Sequence, residues 1–192
     1  MSDMAEQRDL LIELGTEELP PKALKKLIHA FEAGIKQGLE KAELSFDGIR
    51  SYAAPRRMAV IVDGLAVRQQ DRLVERRGPA ISAAFDDDGN PTKALQGFAR
   101  SCGASVDDLE KLETDKGTWL VFKQEQKGAD TASLIVDILQ QSLNDLPIPK
   151  RMRWGALPGE FVRPVHWLVL LFGDEVLPAD VLGVSSGRES RG

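Results

Sequence analysis

The sequence predicts an α+β protein in which mixed sheets are covered by helices, and three observations lead to this fold class. Residues 167–172 form a short apolar run closed by Gly173, which suits a buried strand and is too short to cross a membrane. Between residues 24 and 42, apolar side chains recur at three- and four-residue steps, which is typical of an amphipathic helix. Finally, PRRMAVIVDG from Pro55 and PVHWLVLLFG from Pro164 share one pattern of proline, a basic group, apolar residues and glycine.

The shared pattern predicts two related strand–helix–strand–strand lobes. Apolar residues 10–12 and 119–121 precede the two copies at the same distance, and a helical pattern lies between in each case. Residues 1–80 would form the first lobe, residues 81–116 a helical connection, and residues 117–192 a second lobe that continues in a longer protein. The alternative is that any two buried strands look alike. The related-lobe interpretation makes both copies central strands and places four side chains in the core: Val60, Ile61, Val169 and Leu170.

The first half begins with a predicted strand at residues 9–14, broken at Gly15. Proline is tolerated in the first turn of a helix, so Pro20 and Pro21 are expected to open the long helix. Gly34 and Gly38 each lower its intrinsic stability by about 1 kcal/mol, which predicts a closely packed neighbour.

Two strands are predicted next, at residues 49–54 and 58–65, joined at Pro55-Arg56-Arg57. Residues 67–77 are charged and extend the second strand in this interpretation. Arg77-Gly78-Pro79 then marks a turn.

The second half begins with an acidic turn, DDDGN, that resembles the start of a calcium loop. Pro91 and Gly97 stand where the loop's glycine and bidentate glutamate belong, so a solvated turn is favoured, with Asn90 as N-cap and Pro91 as first helical residue. Ser105 and Asp108 have capping-box spacing. The remaining predicted elements are a short helix to residue 113, a strand at 118–124, a helix from 131 and a strand at 176–184.

Composition limits the classes of function. The 192 residues are 42% hydrophobic and carry a net charge of −5, so a real core is possible and any nucleic-acid contact must come from local patches. Residues 50–77 and 150–163 are net basic, whereas residues 102–145 are net acidic. A single cysteine, Cys102, excludes an internal disulfide and fits a reducing cytosol. No signal peptide or membrane-spanning segment is recognisable.

A search for catalytic chemistry finds little. One cysteine and two distant histidines make no convincing metal site, and neither a phosphate loop nor a dinucleotide fingerprint is present. A nucleophile triad is not excluded, but no nucleophile elbow appears. An acid/base pair of His166 with Glu13, Glu17 or Glu18 is conceivable, although carboxylates at a helix start and a histidine at a strand end are the favoured interpretation.

The remaining candidates are arginines. Guanidinium groups bind phosphates bidentately and stack on aromatic rings, so RNA binding is one interpretation, and Trp154 and Trp167 lie among them. The alternative is that they pair with acidic neighbours or carbonyls to hold the lobes together, which composition alone favours. The candidate RNA-binding residues are Arg56, Arg57, Arg151, Arg153 and Arg163.

Several motifs, in order along the chain, resemble the start of the β subunit of bacterial glycyl-tRNA synthetase. They are LLIELGTEELPPKAL at 10–24, APRR at 54–57, RGP at 77–79, DGNPT at 88–92 with Gly97 and Phe98, MRWG at 152–155, FVRPVHW at 161–167 and SGR at 186–188. Because the family's β subunit is several times longer, the resemblance implies an N-terminal fragment, as the polar end SSGRESRG also suggests.

The resemblance implies a cytoplasmic α2β2 enzyme that joins glycine to its tRNA with ATP and Mg²⁺. In that family the α subunit binds glycine and ATP and the β subunit supplies tRNA recognition, so no catalytic residue, cofactor or metal is expected in this chain. The expected partners are the α subunit and the tRNA for glycine, without DNA or membrane. The chain itself would be either an RNA-contacting module or a purely structural docking module. An independent enzyme using Glu17, Glu18 or His166 is disfavoured.

Overall fold

The structure is a computed structural model that describes residues 6–154 and 160–191. It contains two compact units, Met1–Gln70 with Ala129–Gly192 and Asp71–Gly128. In chain order the elements are β1 (Gln7–Thr16), α1 (Pro21–Lys41), β2 (Gly48–Ala54), β3 (Arg57–Ala66), β4 (Arg72–Ala80), α2 (Ile81–Ala84), α3 (Lys93–Ser101), β5 (Glu110–Thr114), β6 (Gly117–Gln126), α4 (Thr131–Asn144), β7 (Met152–Arg153), β8 (Glu160–Phe161), β9 (Val165–Phe172), β10 (Glu175–Val176), β11 (Asp180–Val181) and β12 (Val184–Gly187). The α+β class is confirmed.

The first unit is built on a seven-stranded sheet in the order β11-β12-β9-β1-β3-β2, with β10 paired to β9. β1 runs antiparallel to both β3 and β9, and Ile12 pairs with Val60 on one side and Leu170 on the other. β12 runs parallel to β9, so the sheet is mixed. The two proline-led segments of the sequence therefore lie in strands that flank one common strand.

This shared sheet groups the chain differently from the predicted lobes at residues 1–80, 81–116 and 117–192. β9 pairs with β1 of the first half, and the segment expected to be equivalent to β1, residues 119–121, lies in β6 of the other unit. The two halves consequently do not each form a sheet of their own, because β3 and β9 complete the hydrogen bonding of the same strand. Both are central strands, as predicted. Val60, Val169 and Leu170 are buried and Ile61 is half-buried.

Helices α1 and α4 contribute their apolar faces to the core of this sheet. Helix α1 and strands β1 and β3 supply many of the largest fully buried side chains of this core: Leu27, Phe31, Ile35, Leu39, Leu10, Ile12, Leu14, Met58 and Leu65. The two glycines of α1 lie where α4 crosses. A Cβ on Gly38 would stand 2.4 Å from Cγ2 of Ile138, and one on Gly34 would stand 3.0 Å from Cβ of Ser142. The close neighbour expected from these helical glycines is therefore confirmed.

The second unit is a three-stranded antiparallel sheet in the order β4-β6-β5, with α2 and α3 beside it. Its small core contains Ala84, Leu95 and Leu120. Arg77 lies over the ring of Trp119, with its Cζ 3.8 Å from the centroid. A side chain on Gly78 would meet the ring of Phe98 at 2.5 Å, so only glycine fits there.

Five local predictions are wrong, and pairing with β6 explains the first three of them. Residues 72–80 do not extend β3 but form β4, and the predicted turn at 77–79 lies inside β4 as a register shift opposite β6. The helix expected to run to residue 113 is a 3-10 turn, Val106–Asp108, followed by β5 paired to β6; its capping box of Ser105 and Asp108 is confirmed. The single strand expected at 176–184 is three short strands.

The last of these corrections concerns the start of α3. The N-cap is Thr92, whose hydroxyl accepts a hydrogen bond from the Leu95 amide, and neither Asn90 nor Pro91 is helical. The carboxylate of Asp86 accepts from the amide of Asn90 at 2.7 Å, which holds Asn90 in the preceding turn. Among the described residues, no helix is both long and apolar enough to span a membrane.

Candidate nucleic-acid interface

Residues 16–19, where β1 ends and the chain turns into α1, connect the two basic proline segments. The amide of Thr16 donates to the carbonyl of Arg56 at 2.9 Å, and the amide of Leu19 donates to the carbonyl of Pro55 at 2.6 Å. The amide of Glu17 donates to the carbonyl of Pro164 at 2.9 Å. Segments more than 100 positions apart in sequence are thereby held on one short stretch of backbone, at one end of the central strands.

Glu17 binds a basic side chain from each proline segment. Its Oε1 lies 2.8 Å from Nε2 of His166, and its Oε2 accepts a hydrogen bond from Arg56 at 3.3 Å. The hydrogen bond to His166, together with the nearby positive charge of Arg56, holds the pKa of the Glu17 carboxyl below its ordinary value. Glu17 and His166 thus meet, as the acid/base interpretation of the sequence required. A carboxylate with a lowered pKa that is already held by two bases suits an ion pair better than proton transfer.

This geometry predicts a pH-dependent contribution of Glu17 to stability. Because its pKa is lowered in the folded state, the ionised carboxylate stabilises the fold above its ordinary pKa of about 4.5, and the contribution is lost as the pH falls through the lowered value. Glu17→Gln is therefore expected to lower Tm at neutral pH, and the difference from the wild type should shrink in acid. Thermal melting across this range measures it.

The matched control is Glu18→Gln, since in the part of the chain that the structure describes Glu18 makes no side-chain hydrogen bond to His166 or Arg56. A Tm difference for Glu17→Gln that stays constant from neutral pH into acid would contradict the assignment.

Arg163 contacts the same turn from the second proline segment. Its Nε donates to the carbonyl of Glu18 at 3.1 Å, and its Nη1 donates to its neighbour Val162 at 2.9 Å. Nη1 also lies 3.5 Å from Sδ of Met152 in β7. Arg163 therefore links the turn after β1 to the β7–β8 hairpin.

The β7–β8 hairpin carries the remaining two candidates. Arg153 pairs with Glu160 across the hairpin, and its Nε donates to Oε1 of Glu160 at 2.6 Å although 72% of its side chain is exposed. Arg151 donates to the carbonyl of Asn144 at 2.7 Å and to that of Glu160 at 3.5 Å. Arg56 is thus connected to this hairpin by a series of contacts that passes through the turn after β1 and Arg163. We call the four arginines of this series the arginine surface: Arg56, Arg151, Arg153 and Arg163.

Arg57 lies apart from that surface. Its Nε is 3.7 Å from Oε1 of Glu13, its Cζ is 5.9 Å from the ring centroid of Trp167, and its Nη2 donates to the carbonyl of Arg191. Glu13 is only 8% exposed and also accepts hydrogen bonds from Nε1 of Trp167 at 2.8 Å and from Ser190 at 2.6 Å. Arg57 therefore balances a buried carboxylate, which is a structural role of the kind that the second interpretation proposed.

A cavity of about 530 Å³ opens beside this network. Its lining residues are Thr16, Ala54, Pro55, Arg56, Arg57, His166, Trp167 and Arg191. Sequence reasoning did not single out Arg191 or Thr16. The contact of Trp167 with Glu13 joins residues 154 positions apart, so no local pattern could have indicated it.

All five predicted arginines therefore have acceptors within the protein, and four of them form one connected surface. The described residues contain no group of three or more His, Cys, Asp or Glu side chains placed to hold a metal ion.

The comparisons with known proteins agree with the resemblance seen in the motifs. The family model described as glycyl-tRNA synthetase beta subunit matches residues 10–192. The chain is 60% identical over 185 residues to the glycine–tRNA ligase beta subunit of Hahella chejuensis, covering 96% of this chain and 27% of that protein. It is 57% identical over 185 residues to the beta subunit of Marinobacter nauticus, with the same coverage of 96% and 27%.

A third similar relative is the glycine–tRNA ligase beta subunit of Chromohalobacter salexigens, at 55% identity over 183 residues, or 95% of this chain and 26% of the relative. The chain thus spans about a quarter of the length of the curated relatives that it matches. A family model that covers residues 10–192 matches nearly the whole chain. The chain therefore belongs to the glycyl-tRNA synthetase beta subunit family.

Proposed function

We propose that the chain is the N-terminal, non-catalytic part of the β subunit of a heterotetrameric glycine–tRNA ligase in the cytoplasm, and that its arginine surface contacts the tRNA backbone. In this assignment the complete α2β2 enzyme attaches glycine to its tRNA, and ATP and Mg²⁺ are used through the α subunit. Membership of the family supports the assignment to the ligase. The absence of a phosphate loop from the sequence supports a role outside the chemical step.

The observation that carries the RNA contact is the connected arrangement of the arginine surface, in which Arg56 and Arg153 are exposed and Arg151 and Arg163 half-buried. Arg56 and Arg153 expose 66% and 72% of their side chains, and each is paired with a single carboxylate. An exposed ion pair contributes only about 0–1 kcal/mol to the free energy of unfolding, so a phosphate can replace the carboxylate as the partner of the arginine at a small cost in stability. A guanidinium group binds phosphate bidentately and stays charged at any physiological pH. In a chain of net charge −5, such a surface limits repulsion of a polyanion at one place.

The test is the affinity of the chain for the tRNA for glycine, measured by filter binding at several salt concentrations. Arg153→Gln and Arg163→Gln are each expected to weaken binding and to flatten the dependence of log K on log salt by roughly one unit, because each lost phosphate contact releases fewer counterions. The matched control is Arg100→Gln in α3, an exposed arginine outside the arginine surface, which should leave affinity and slope unchanged.

A specific observation also favours the alternative, a structural or docking module without RNA contact. Arg163 and Arg151 donate to main-chain carbonyls, and Arg57 is bound to the nearly buried Glu13. If Arg153→Gln and Arg163→Gln bind tRNA with unchanged affinity and salt slope but melt at a lower temperature, the arginines are structural. Retention of the chain on immobilised α subunit, in the absence of tRNA, would then support docking.

The assignment also predicts that the chain alone does not activate glycine. Purified chain is expected to give no ATP–pyrophosphate exchange above a blank with glycine and Mg²⁺ present, because the sequence has no phosphate loop to position ATP for reaction. The α subunit alone and the α–β assembly serve as comparisons. Exchange that copurifies with the chain through a second chromatographic step would refute a non-catalytic role.

A further inference from the structure

We propose that the cavity beside Trp167 binds one unpaired ribonucleotide of an RNA, with the base stacked on the indole and the phosphate held by Arg56 and Arg191. This inference rests on the proposed role in RNA binding and assigns it a second, more specific site, distinct from the backbone contacts of Arg153 and Arg163. The cavity lies in the first unit, between the β2–β3 turn and the start of β9. Its volume of about 530 Å³ falls within the range of about 300–1,000 Å³ that is usual for small-molecule sites.

The indole of Trp167 is held in one orientation by contacts within the protein, so it needs no ligand to order it. A Cβ added to Gly15 would stand 1.9 Å from Cε2 of Trp167, so one face of the indole lies directly on the backbone of β1. The Nε1 hydrogen bond to Glu13, at 2.8 Å, fixes the rotation of the ring. Trp167 also lines the cavity, and Cζ of Arg57 lies over the same ring, 5.9 Å from its centroid. An aromatic ring held in this way stacks on a base without losing further side-chain freedom.

The charge of the lining suits a phosphate. Three of the lining residues are arginines, and within the described part of the chain no carboxylate borders the cavity. Arg191 has an exposed guanidinium group with no hydrogen bond or ion pair to another described residue. Arg56 has 66% of its side chain exposed, and among the described residues its guanidinium group is bound only by Glu17, in an exposed ion pair. Two exposed arginines in a lining that includes no carboxylate among the described residues favour an anion, and phosphate matches the geometry of a guanidinium group best.

The indole of Trp167 lies inside the cavity, and this position favours binding of an unpaired base. A base in an A-form helix is stacked on its neighbours and cannot reach a ring inside a cavity, whereas a base in a loop or single-stranded end can be turned outward. The site is therefore expected to bind single-stranded RNA in preference to duplex RNA.

The experiment uses a fluorescein-labelled eight-nucleotide RNA without self-complementarity, alone or annealed to its complement, and measures anisotropy with the 192-residue chain at several salt concentrations. Trp167→Leu is expected to weaken binding of the single strand by roughly tenfold or more, because it removes the stacking surface. Trp167→Phe keeps a ring and should weaken binding less. Arg191→Gln should flatten the salt slope by roughly 0.7, the value for one phosphate of a single strand. Arg100→Gln is again the control.

Competition separates the possible sources of binding. AMP is expected to displace the labelled single strand at lower concentration than inorganic phosphate, since only AMP offers a base. Equal competition by the two would show a simple anion site and overturn the proposal, and so would equal affinity for single strand and duplex. Thermal melting checks the fold of each variant. If Trp167→Leu does not fold, the exposed Arg191→Gln and the milder Trp167→Phe decide, and wild-type binding by both would also overturn the proposal.

Different variants test the two RNA proposals, so the failure of one can be distinguished from the failure of the other. Loss of tRNA binding in Arg153→Gln and Arg163→Gln, with Trp167→Leu and Arg191→Gln unchanged, would retain the arginine surface and reject the cavity. The reverse pattern would retain the cavity and reject the arginine surface.

Discussion

Ile12→Ala is expected to lower the free energy of unfolding by about 2–5 kcal/mol, among the largest effects of any single truncation in this chain. Ile12 is fully buried in β1, between Val60 of β3 and Leu170 of β9. Alanine removes three carbon atoms from the centre of a packed core. The neighbouring strands are hydrogen-bonded to β1 on both sides, so they cannot close around the cavity that remains. Urea unfolding, analysed as the change in midpoint at constant m value, measures the loss.

Ile61→Ala is the matched control for this prediction. Ile61 lies one residue along β3 from Val60, so its side chain points to the opposite face of the sheet, and it is only half-buried. The same chemical change should therefore cost clearly less there. Similar losses for both variants would show that the helix-covered face of the sheet is not the dominant core.

Gly15→Ala is expected to destabilise the protein by about 2–4 kcal/mol, the sum of an overpacking cost and a lost hydrogen bond to a carboxylate. The three atoms nearest to the added Cβ would all belong to the indole of Trp167, at 1.9 to 2.2 Å. The indole must therefore move away from β1. Its movement breaks the hydrogen bond from Nε1 to Glu13 and leaves a carboxylate that is 8% exposed with fewer donors. Chemical unfolding of the variant and the wild type gives the difference.

Two comparisons identify the cause of that loss. Gly97→Ala, in α3, adds the same atom where no other heavy atom lies within 4 Å, and it should be neutral or stabilising because alanine favours a helix more than glycine does. In a Trp167→Ala background the clash no longer exists, so Gly15→Ala should cost much less, and the double-mutant cycle should show a coupling between the two sites. Equal costs in both backgrounds would mean that backbone conformation, and not the indole, requires glycine at position 15.

The sequence alone predicted the elements whose residues repeat with a clear period. β1, α1, β3, β6, α4 and β9 all lie where the sequence placed them, because the apolar period of a strand or helix is written into neighbouring residues. The same holds for the close neighbour of Gly34 and Gly38, since glycine on the apolar face of a helix is explained by contact with another element. Long motifs were also sufficient to identify the family.

Local patterns predicted the wrong element where pairing with a distant strand sets the conformation of a segment. Residues 110–114 follow a capping box and were expected to be helical, but pairing with β6 makes them a strand. Likewise, the sequence predicts a turn at residues 77–79, but they lie in β4, where Arg77 and Ala80 pair with Val121 and Trp119 of β6 on either side of a register shift. A propensity of a few tenths of a kcal/mol per residue cannot outweigh a complete set of strand hydrogen bonds.

For the candidate site too, the sequence showed one part and only the tertiary structure showed the rest. The sequence determined that arginines lie beside two prolines at the starts of strands and that a tryptophan follows the second proline, and hence which residue types are available for phosphate and base. Only the tertiary structure decided how they are used. Glu17 and His166 are 149 positions apart, and they meet because β1 and β9 pair with one particular register. A shift of that register by one residue would turn Trp167 away from Gly15 and Glu13. The period of a strand indicates which of its faces is apolar, but not which strand lies beside it. Three features therefore exist only in the assembled sheet: the network around Glu13, the arginine surface and the cavity beside Trp167.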